Sequence, residues 1–380
     1  MRKYILPFIT MLIINFLGLY LGGLATNPGV KSDWYQHQIL QAPWTPPGYV
    51  FAITWTLIGI TWSVLGAWLW KNKKKDRIPE QWEPVGKVRG LYMYPLKGGR
   101  RIELDSAECN TLGLQQLRNS QMQDRCLVVY KEDTKKSITA ITYPKLLLIE
   151  TFPTKNHFIL KSPGNETIEL KIPSLNKNFQ DTIFMMIDEP VSVIDCGDEA
   201  AKWISNCLLG KSRGLRLGYK NYKIKRNTKN HPFAKLFNAP NMCSTGIFAD
   251  IGPILLVNMS SLNDLNKRIP NSETSEHHFR PNIVIEGETI KPYAEDNWDW
   301  VKIGDTVLRY QIVSSRCAFT TIDPEKAKYA KNFEPLKTLR TYRPGSEYQG
   351  ASLYPNFGAY FSIFSRGTVS VGDVVYLGKS

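Results

Sequence analysis

Two long apolar runs without a single charge lie near the start of the chain, at residues 4–24 and 49–70. A helix rises about 1.5 Å per residue, so each run is long enough to cross a hydrocarbon core of roughly 30 Å. The pattern therefore predicts two transmembrane helices. A cleavable signal peptide is the alternative for the first run, but the length of the run and the lack of a small-residue cleavage site disfavour it.

Positive charges flank these two runs unevenly. Arg2 and Lys3 precede the first run, and Lys31 is the one cationic residue of the loop between the runs. Five cations closely follow the second run: Lys71, Lys73, Lys74, Lys75 and Arg77. Because Lys and Arg are enriched in cytoplasmic flanks, both ends are predicted to face the cytosol, as is everything after residue 77.

After residue 84 the pattern changes to short runs of β-branched and aromatic residues, several of them separated by Gly, Pro or Asn. Such runs are typical of strands in a barrel or sandwich. They predict strands at residues 126–130, 146–152, 157–160, 167–172, 282–285 and 306–313. Apolar residues at helical spacing predict helices over 198–209 and 260–266. The expected fold is mainly β with a few helices.

The composition supports a folded chain with anionic partners. Hydrophobic residues make up 43% of the 380 positions and charged residues 22%, and the formal net charge is +14. The length predicts more than one domain, and the charge favours nucleic acid, anionic lipid, a phosphate-bearing cofactor or an acidic protein. A basic stretch at 211–230 fits either a solvated loop or a docking patch for an acidic partner. No nucleic acid is expected, because no nucleic-acid-binding signature accompanies that stretch.

The cysteines contain one candidate for chemistry. All six are scattered without a CxxC pair, which disfavours a zinc ribbon and a disulfide scaffold: Cys109, Cys126, Cys196, Cys207, Cys243 and Cys317. Cys317 follows Arg316 at the end of an alternating run. A neighbouring cation favours the thiolate, which binds soft metals or acts as a nucleophile. A single cysteine is nevertheless more often a small buried hydrophobic residue.

The segment around the second apolar run resembles the TspO/translocator-protein family. The similarity is carried by Trp34-Tyr35, by Trp55-Thr56, and by the run APWTPPGYVF at residues 42–51. That family has five spans around a ligand pocket, whereas two are predicted here. The resemblance therefore implies an inherited anchor, with a TspO-like ligand-binding membrane protein as the alternative.

The region from 85 to 378 resembles the β-barrel and MOSC domains of the amidoxime-reducing component family. The order and spacing of its motifs agree over most of this region: Tyr94-Pro95-Leu96-Lys97, Leu112-Gly113-Leu114, Asp124-Arg125, Asp195-Cys196-Gly197-Asp198, residues 279–284 (FRPNIV), residues 293–296 (YAED), Ser315-Arg316-Cys317, residues 320–324 (TTIDP) and residues 357–360 (FGAY). The resemblance implies a membrane anchor at 1–75, a basic linker at 76–84, a MOSC N-terminal β-barrel domain at 85–210 and a MOSC domain at 211–380.

The same resemblance implies a molybdenum cofactor, Mo-molybdopterin, with Cys317 as the protein ligand to the metal and the catalytic residue. The positions that contact the cofactor correspond to Lys97, Gly98, Arg125, Ile251, Gly252, Arg280, Asn282, Ser315, Arg316, Cys317 and Tyr360. Arg and Lys side chains suit a buried phosphate. This chain departs from the family pattern where Gly98 replaces a serine, Ile141 an arginine, and Ile251-Gly252 a Thr-Ser pair.

The implied activity is two-electron reduction of small N-hydroxylated substrates such as amidoximes and hydroxylamines. Electrons are expected from a b-type cytochrome and its NADH-dependent flavoprotein reductase, and the chain itself carries no G-x-G-x-x-G fingerprint. The resemblance also implies the outer mitochondrial membrane. The polar groups lost at Gly98, Ile141 and Gly252 leave open a non-catalytic carrier of the cofactor or of sulfur.

Overall fold

The computed structural model describes residues 77–154, 156–174, 176–185, 188–221, 226, 246–270, 274–345 and 354–379, together with four helical positions at 57, 59, 61 and 63. The chain forms two compact units, Met1–Ile78 with Ser380, and Pro79–Lys379. The predicted span 4–24 lies outside the described residues, as does the span 49–70 apart from those four positions. Among the residues described, no helix combines the length and apolarity needed to span a membrane.

A closed barrel of seven strands forms the centre of the second unit. With strands numbered in chain order, its members are β1 (Gln81–Met93), β13 (Ile254–Asn258), β14 (Ile283–Glu286), β15 (Trp300–Ile303), β16 (Thr306–Ser315), β19 (Asn356–Ser365) and β21 (Val374–Lys379). The order around the barrel is β14-β13-β19-β16-β15-β21-β1, and pairing of β1 with β14 closes it. A short strand, β2 (Ile102–Leu104), extends the sheet beside β1.

Alternation along the strands separates the barrel core from its outer surface. In β14, Ile283 and Ile285 belong to the apolar core of the barrel. Val284 between them packs with Tyr92 and Tyr94 in a separate cluster. This cluster lies at the end of β1, next to the segment that contains Lys97.

The other strands form smaller sheets. One four-stranded sheet contains β6 (Leu127–Lys131), β10 (Gln180–Phe184), β11 (Pro190–Asp195) and β12 (Leu215–Lys220), and another contains β3 (Ser106–Asn110), β4 (Gly113–Gln116), β5 (Asn119–Gln123) and β20 (Gly367–Ser370). Three strands form a third sheet and two a hairpin: β7 (Glu150–Pro153), β8 (His157–Lys161) and β9 (Ile168–Lys171), then β17 (Ile322–Asp323) and β18 (Lys328–Tyr329). The mainly β class is confirmed. The predicted boundary at 210/211 stays a prediction. Two strand pairs join segments on either side of it, β1 with β14 and β3 with β20.

Three α-helices occur in the described part of the chain: α1 (Asp198–Leu209), α2 (Met259–Arg268) and α3 (Leu336–Tyr342). The first has the predicted bounds and ends at Gly210, whose φ is 65°. The second is capped by the Asn258 side chain, which accepts a hydrogen bond from the Ser260 amide at 3.0 Å.

The strand predicted at 146–152 is wrong in its first half. Residues Pro144–Leu148 form a 3-10 turn with a proline at its start, and β7 begins at Glu150. Leu146 and Leu147 are buried in that turn. An apolar run of this length does not distinguish a strand from a buried turn.

Three cations of the basic stretch at 211–230 make internal contacts, so at these positions both expectations, a solvated loop and a docking patch, are wrong. Arg216 donates to both carboxylate oxygens of Asp195 at 2.7 Å, and Lys220 is buried at the end of β12. Arg226 donates to Glu189 at 2.9 Å. These side chains hold the fold together because β12 runs through the stretch that the sequence pattern assigned to the surface.

Candidate functional site

Cys317 lies where the long barrel strand β16 ends and a 3-10 turn, Ala318–Thr321, begins. Its carbonyl oxygen accepts hydrogen bonds from the amide and the hydroxyl of Thr320, at 3.1 and 3.0 Å. The side chain is partly exposed. The backbone is therefore held in place at a cysteine that is not fully buried.

The electrostatics of the thiol correct the sequence-based argument. Burial raises the pKa of Cys317, and the Phe319 backbone and Arg316 offset only part of that effect. The expected lowering by Arg316 is real but smaller than the cost of desolvation. In the free chain the thiol is protonated at neutral pH, and a coordinated metal would displace that proton.

The Arg316 side chain holds two neighbouring segments. Its guanidinium donates to the Phe357 carbonyl at 2.8 and 2.6 Å and to the Phe279 carbonyl at 3.0 Å. Burial lowers the pKa of Arg316 to about 10. The side chain thus fixes β19 and the turn before Arg280 relative to Cys317.

Lys97 and Asp250 form an ion pair whose carboxylate also acts electrostatically on the Cys317 thiol. The Lys97 ammonium is 2.6 Å from Asp250 Oδ1 and donates to the Phe248 carbonyl at 3.0 Å. Burial lowers the pKa of Lys97, and the Asp250 carboxylate opposes that shift. The same carboxylate raises the pKa of Cys317, so it lies within electrostatic range of the sulfur.

Two arginines flank the ring of Tyr94. The guanidinium carbon of Arg280 is 4.0 Å from the ring centroid and that of Arg125 is 5.3 Å away. Both arginines have left-handed backbones, with φ of 55° and 51°. Arg125 pairs with Asp124, and Arg280 donates to the Gly99 carbonyl at 2.7 Å. Both guanidinium groups therefore lie over one aromatic ring, held by contacts from different segments of the chain.

The residues present fit an anionic group. Of the four cations Lys97, Arg125, Arg280 and Arg316, the first two pair with carboxylates and the other two donate to backbone carbonyls. Within the described part of the chain, Arg280 Nη2 and Tyr94 Oη are buried without a hydrogen-bond partner. Burial and the nearby Arg125 lower the pKa of Arg280 to about 10, and Tyr94 and Asp124 offset only part of that effect. A phosphate would satisfy these donors.

Similarity to known proteins agrees with this geometry. Models of the MOSC N-terminal beta barrel domain, the MOSC domain and the TspO/MBR family match residues 85–211, 245–376 and 10–96. The chain is 35% identical to mitochondrial amidoxime reducing component 2 of Rattus norvegicus, over 84% of this chain and 91% of the relative. It is 33% identical to mitochondrial amidoxime-reducing component 1 of Homo sapiens, with the same two coverages.

The chain belongs to the family of the mitochondrial amidoxime-reducing components.

Gly98 and Gly252, two of the predicted departures from the family pattern, are closely surrounded by neighbouring side chains. Gly98 has φ of 80°, and a β-carbon there would be 2.6 Å from Leu146 Cδ2. A β-carbon at Gly252 would be 2.4 Å from Gln311 Oε1 and 2.9 Å from Tyr360 Cβ. The space that a side chain would need is thus occupied at both positions.

The remaining predicted positions differ in what their side chains do. Asn282 is buried and bonds the backbone, donating to the Tyr92 carbonyl at 3.2 Å and accepting from the Leu255 amide at 3.1 Å. Ser315 donates to Asn356 Oδ1 at 3.4 Å. Tyr360 is partly buried and Ile251 is buried. Their assignment to the cofactor stays a prediction.

Sequence reasoning missed Asp250 and Tyr94 as members of the site. Asp250 precedes the departure at Ile251-Gly252, and Tyr94 opens the motif that ends in Lys97. Their roles depend on contacts between distant segments. Lys97 contacts Asp250 about 150 positions away, and Tyr94 contacts Arg280 about 190 positions away. In the described residues no group of three or more His, Cys, Asp or Glu is placed to hold a metal ion. The assignment of Cys317 as the protein ligand to a metal stays a prediction.

Proposed function

We propose that this chain holds a molybdenum pterin cofactor through Cys317 and reduces N-hydroxylated compounds such as amidoximes. The observation that carries the proposal is a partly exposed cysteine together with four cations of the site. Two of these cations, Arg280 and Arg316, donate to backbone carbonyls and not to carboxylates. Buried donors without partners, Arg280 Nη2 and Tyr94 Oη, lie in the same site. The names and sequence identity of the relatives support the same activity.

Each part of the site has a distinct task in this proposal. The Cys317 sulfur is the ligand to the metal, since thiolates suit soft metals. Arg280 and Arg125 bind the anionic end of the cofactor with forked donors, and Lys97 contributes a point charge. Arg316 positions Cys317 through its bonds to the Phe357 and Phe279 carbonyls. When bound, the cofactor supplies the two electrons that cleave the N–O bond.

The reaction balances as a two-electron, two-proton reduction. An N-hydroxylated substrate takes up two electrons and two protons, the N–O bond breaks, and the products are an amine-type compound and water. The protein orients the substrate and controls its access to the cofactor beside Cys317. The electrons reach the site from a second protein, and we propose a b-type cytochrome reduced by an NADH-dependent flavoprotein.

We also propose that the chain is anchored in a mitochondrial membrane, with its second unit on the cytosolic side of the outer membrane. The match of residues 10–96 to the TspO/MBR family and the mitochondrial relatives support membrane association. The cations that follow the second apolar run support the orientation. Protease added to sealed mitochondria should digest the region after residue 80, and protection would contradict this orientation.

Turnover by the purified full chain tests the proposed activity. With NADH, the flavoprotein and the cytochrome, it should convert benzamidoxime to benzamidine and contain molybdenum. Cys317→Ser should abolish product formation. Cys196→Ser is a matched control because Cys196 is also a partly exposed free cysteine, and it should retain activity. Full activity in Cys317→Ser would refute the assignment.

A cofactor carrier is the second candidate, and one observation favours it. Gly98 and Gly252 offer no side-chain donors, and a β-carbon at either position would require Leu146 or Gln311 to move. Loss of hydrogen bonds to a charged group weakens binding by roughly 1.5–3 kcal/mol each. A chain that contains molybdenum, passes it to an acceptor protein and fails to reduce benzamidoxime would support this candidate.

A further inference from the structure

A short hairpin connects Cys317 to an exposed tyrosine. The 3-10 turn after Cys317 continues into β17, and Ile322 of that strand pairs with Tyr329 of β18. The Ala330 amide donates to the Thr321 carbonyl at 2.7 Å. Burial and the nearby Cys317 sulfur both raise the pKa of Tyr329. The ring is therefore held at a fixed place near the thiol.

The same hairpin is fastened to the amino-terminal half of the second unit at two points. The Tyr329 hydroxyl donates to the Ile141 carbonyl. In the turn between β17 and β18, Glu325 forms ion pairs with Arg100 and Arg101. The hairpin is therefore attached at both ends, and Tyr329 is bonded directly to the backbone of Ile141.

The two side chains of this pair present apolar surface to solvent. Tyr329 is 43% exposed and Ile141 is 39% exposed. Asp250, with a side chain that is 33% exposed, also lies within electrostatic range of the sulfur, and its charge is matched by Lys97. The hairpin thus brings an aromatic ring to the same side of the fold as this ion pair, and Ile141 adjoins the ring through its carbonyl.

We propose that Tyr329 and Ile141 form a selectivity wall at the entrance to Cys317, which favours N-hydroxylated substrates with a flat aromatic group over small aliphatic ones. An aromatic substrate gains offset or edge contact with the Tyr329 ring and apolar contact with Ile141. A small aliphatic substrate lacks both contacts. This inference rests on the proposed function, because it names the substrate class of the same site.

The test compares benzamidoxime with acetamidoxime in two measurements. Binding to the full chain is measured by calorimetry, and turnover by product analysis. The wild-type chain should prefer benzamidoxime in both, and Tyr329→Ala should lower the benzamidoxime-to-acetamidoxime ratio roughly threefold to tenfold, the size of one aromatic contact. Tyr329→Phe keeps the ring and should keep the ratio. Phe179→Ala, an exposed aromatic residue of another loop, is the control and should leave the ratio unchanged.

The outcomes separate this inference from the proposed function. Preferential binding of benzamidoxime that depends on Tyr329, without turnover, would support the wall and refute the reductase. Equal binding of both compounds by the wild-type chain, or equal losses for both in Tyr329→Ala, would overturn the wall. If Tyr329→Ala does not fold, Ile141→Ala serves instead, since it keeps the carbonyl that accepts the Tyr329 hydroxyl.

Discussion

The Lys97 ammonium and Asp250 Oδ1 lie 2.6 Å apart, although 153 positions separate them in the chain. Lys97 follows the first barrel strand, and Asp250 precedes β13. Their contact joins two distant segments beside the proposed metal ligand. Lys97 is buried, so it depends on the carboxylate for compensation.

Asp250→Asn is expected to destabilise the chain by about 2 kcal/mol, because it removes the negative charge that compensates a buried ammonium and leaves only a neutral acceptor. The measurement is the free energy of unfolding in urea. Asp188→Asn is the control: Asp188 pairs with Lys136, its side chain is 72% exposed, and the expected cost is below about 0.5 kcal/mol. Equal effects of the two substitutions would show that burial of Lys97 has no energetic consequence.

Gly98→Ser should destabilise the protein even though the family motif has a serine there. The positive φ costs roughly 1–2 kcal/mol for a residue with a β-carbon, and displacement of Leu146 adds to that cost. Gly164→Ser is the matched control, since Gly164 has φ of 74° and nothing within 4 Å of the added atom. In thermal unfolding, Gly98→Ser should have the lower Tm of the two, and it should lower the Tm less when it is introduced into a Leu146→Ala variant than into the wild-type chain. Similar Tm values for the two serine variants would show that Leu146 is not the obstacle.

The stability of the barrel should fall as pH rises through the titration of Glu295. Glu295 is fully buried and accepts hydrogen bonds from Ser261 at 2.8 and 3.0 Å, and burial raises its pKa to about 7. A raised carboxyl pKa means that the folded state holds a proton which the unfolded state releases near pH 4.5. The contribution is therefore fully present below pH 4.5 and lost between that value and about 7.

Glu295→Gln tests this pH dependence. The substitution removes the titration, so the difference between the free energies of unfolding at pH 5 and pH 8 should shrink by about 3 kcal/mol relative to the wild-type chain. Chemical unfolding at both pH values provides the measurement. An unchanged difference would mean that Glu295 is ionised in the folded protein at neutral pH.

Local patterns predicted local structure well. Helix α1 has the predicted bounds because its apolar spacing and the glycine after it mark both the face and the end. Five of the six predicted strand segments coincide with β6, β8, β9, β14 and β16 to within a few residues. The sixth was only partly right because Pro144 begins a turn that the apolar run conceals.

Long-range contacts could not be read from the sequence. Closure of the barrel pairs β1 with β14, whose Leu91 and Ile283 are far apart in the chain. Arg316 lowers the pKa of the neighbouring thiol as expected, but the sequence did not show that its guanidinium binds the carbonyls of Phe279 and Phe357. Arg216, Lys220 and Arg226 looked like surface cations until the structure placed them in internal contacts. Each of these roles is set by segments that the chain brings together only on folding.

X-ray absorption at the molybdenum edge tests the central claim most directly, because it reports the atoms bound to the metal. The full wild-type chain should show molybdenum with a sulfur ligand that is lost in Cys317→Ser and kept in Cys196→Ser. A wild-type chain without molybdenum, or a sulfur shell that is the same in Cys317→Ser as in the wild type, would contradict the assignment of Cys317 as the metal ligand.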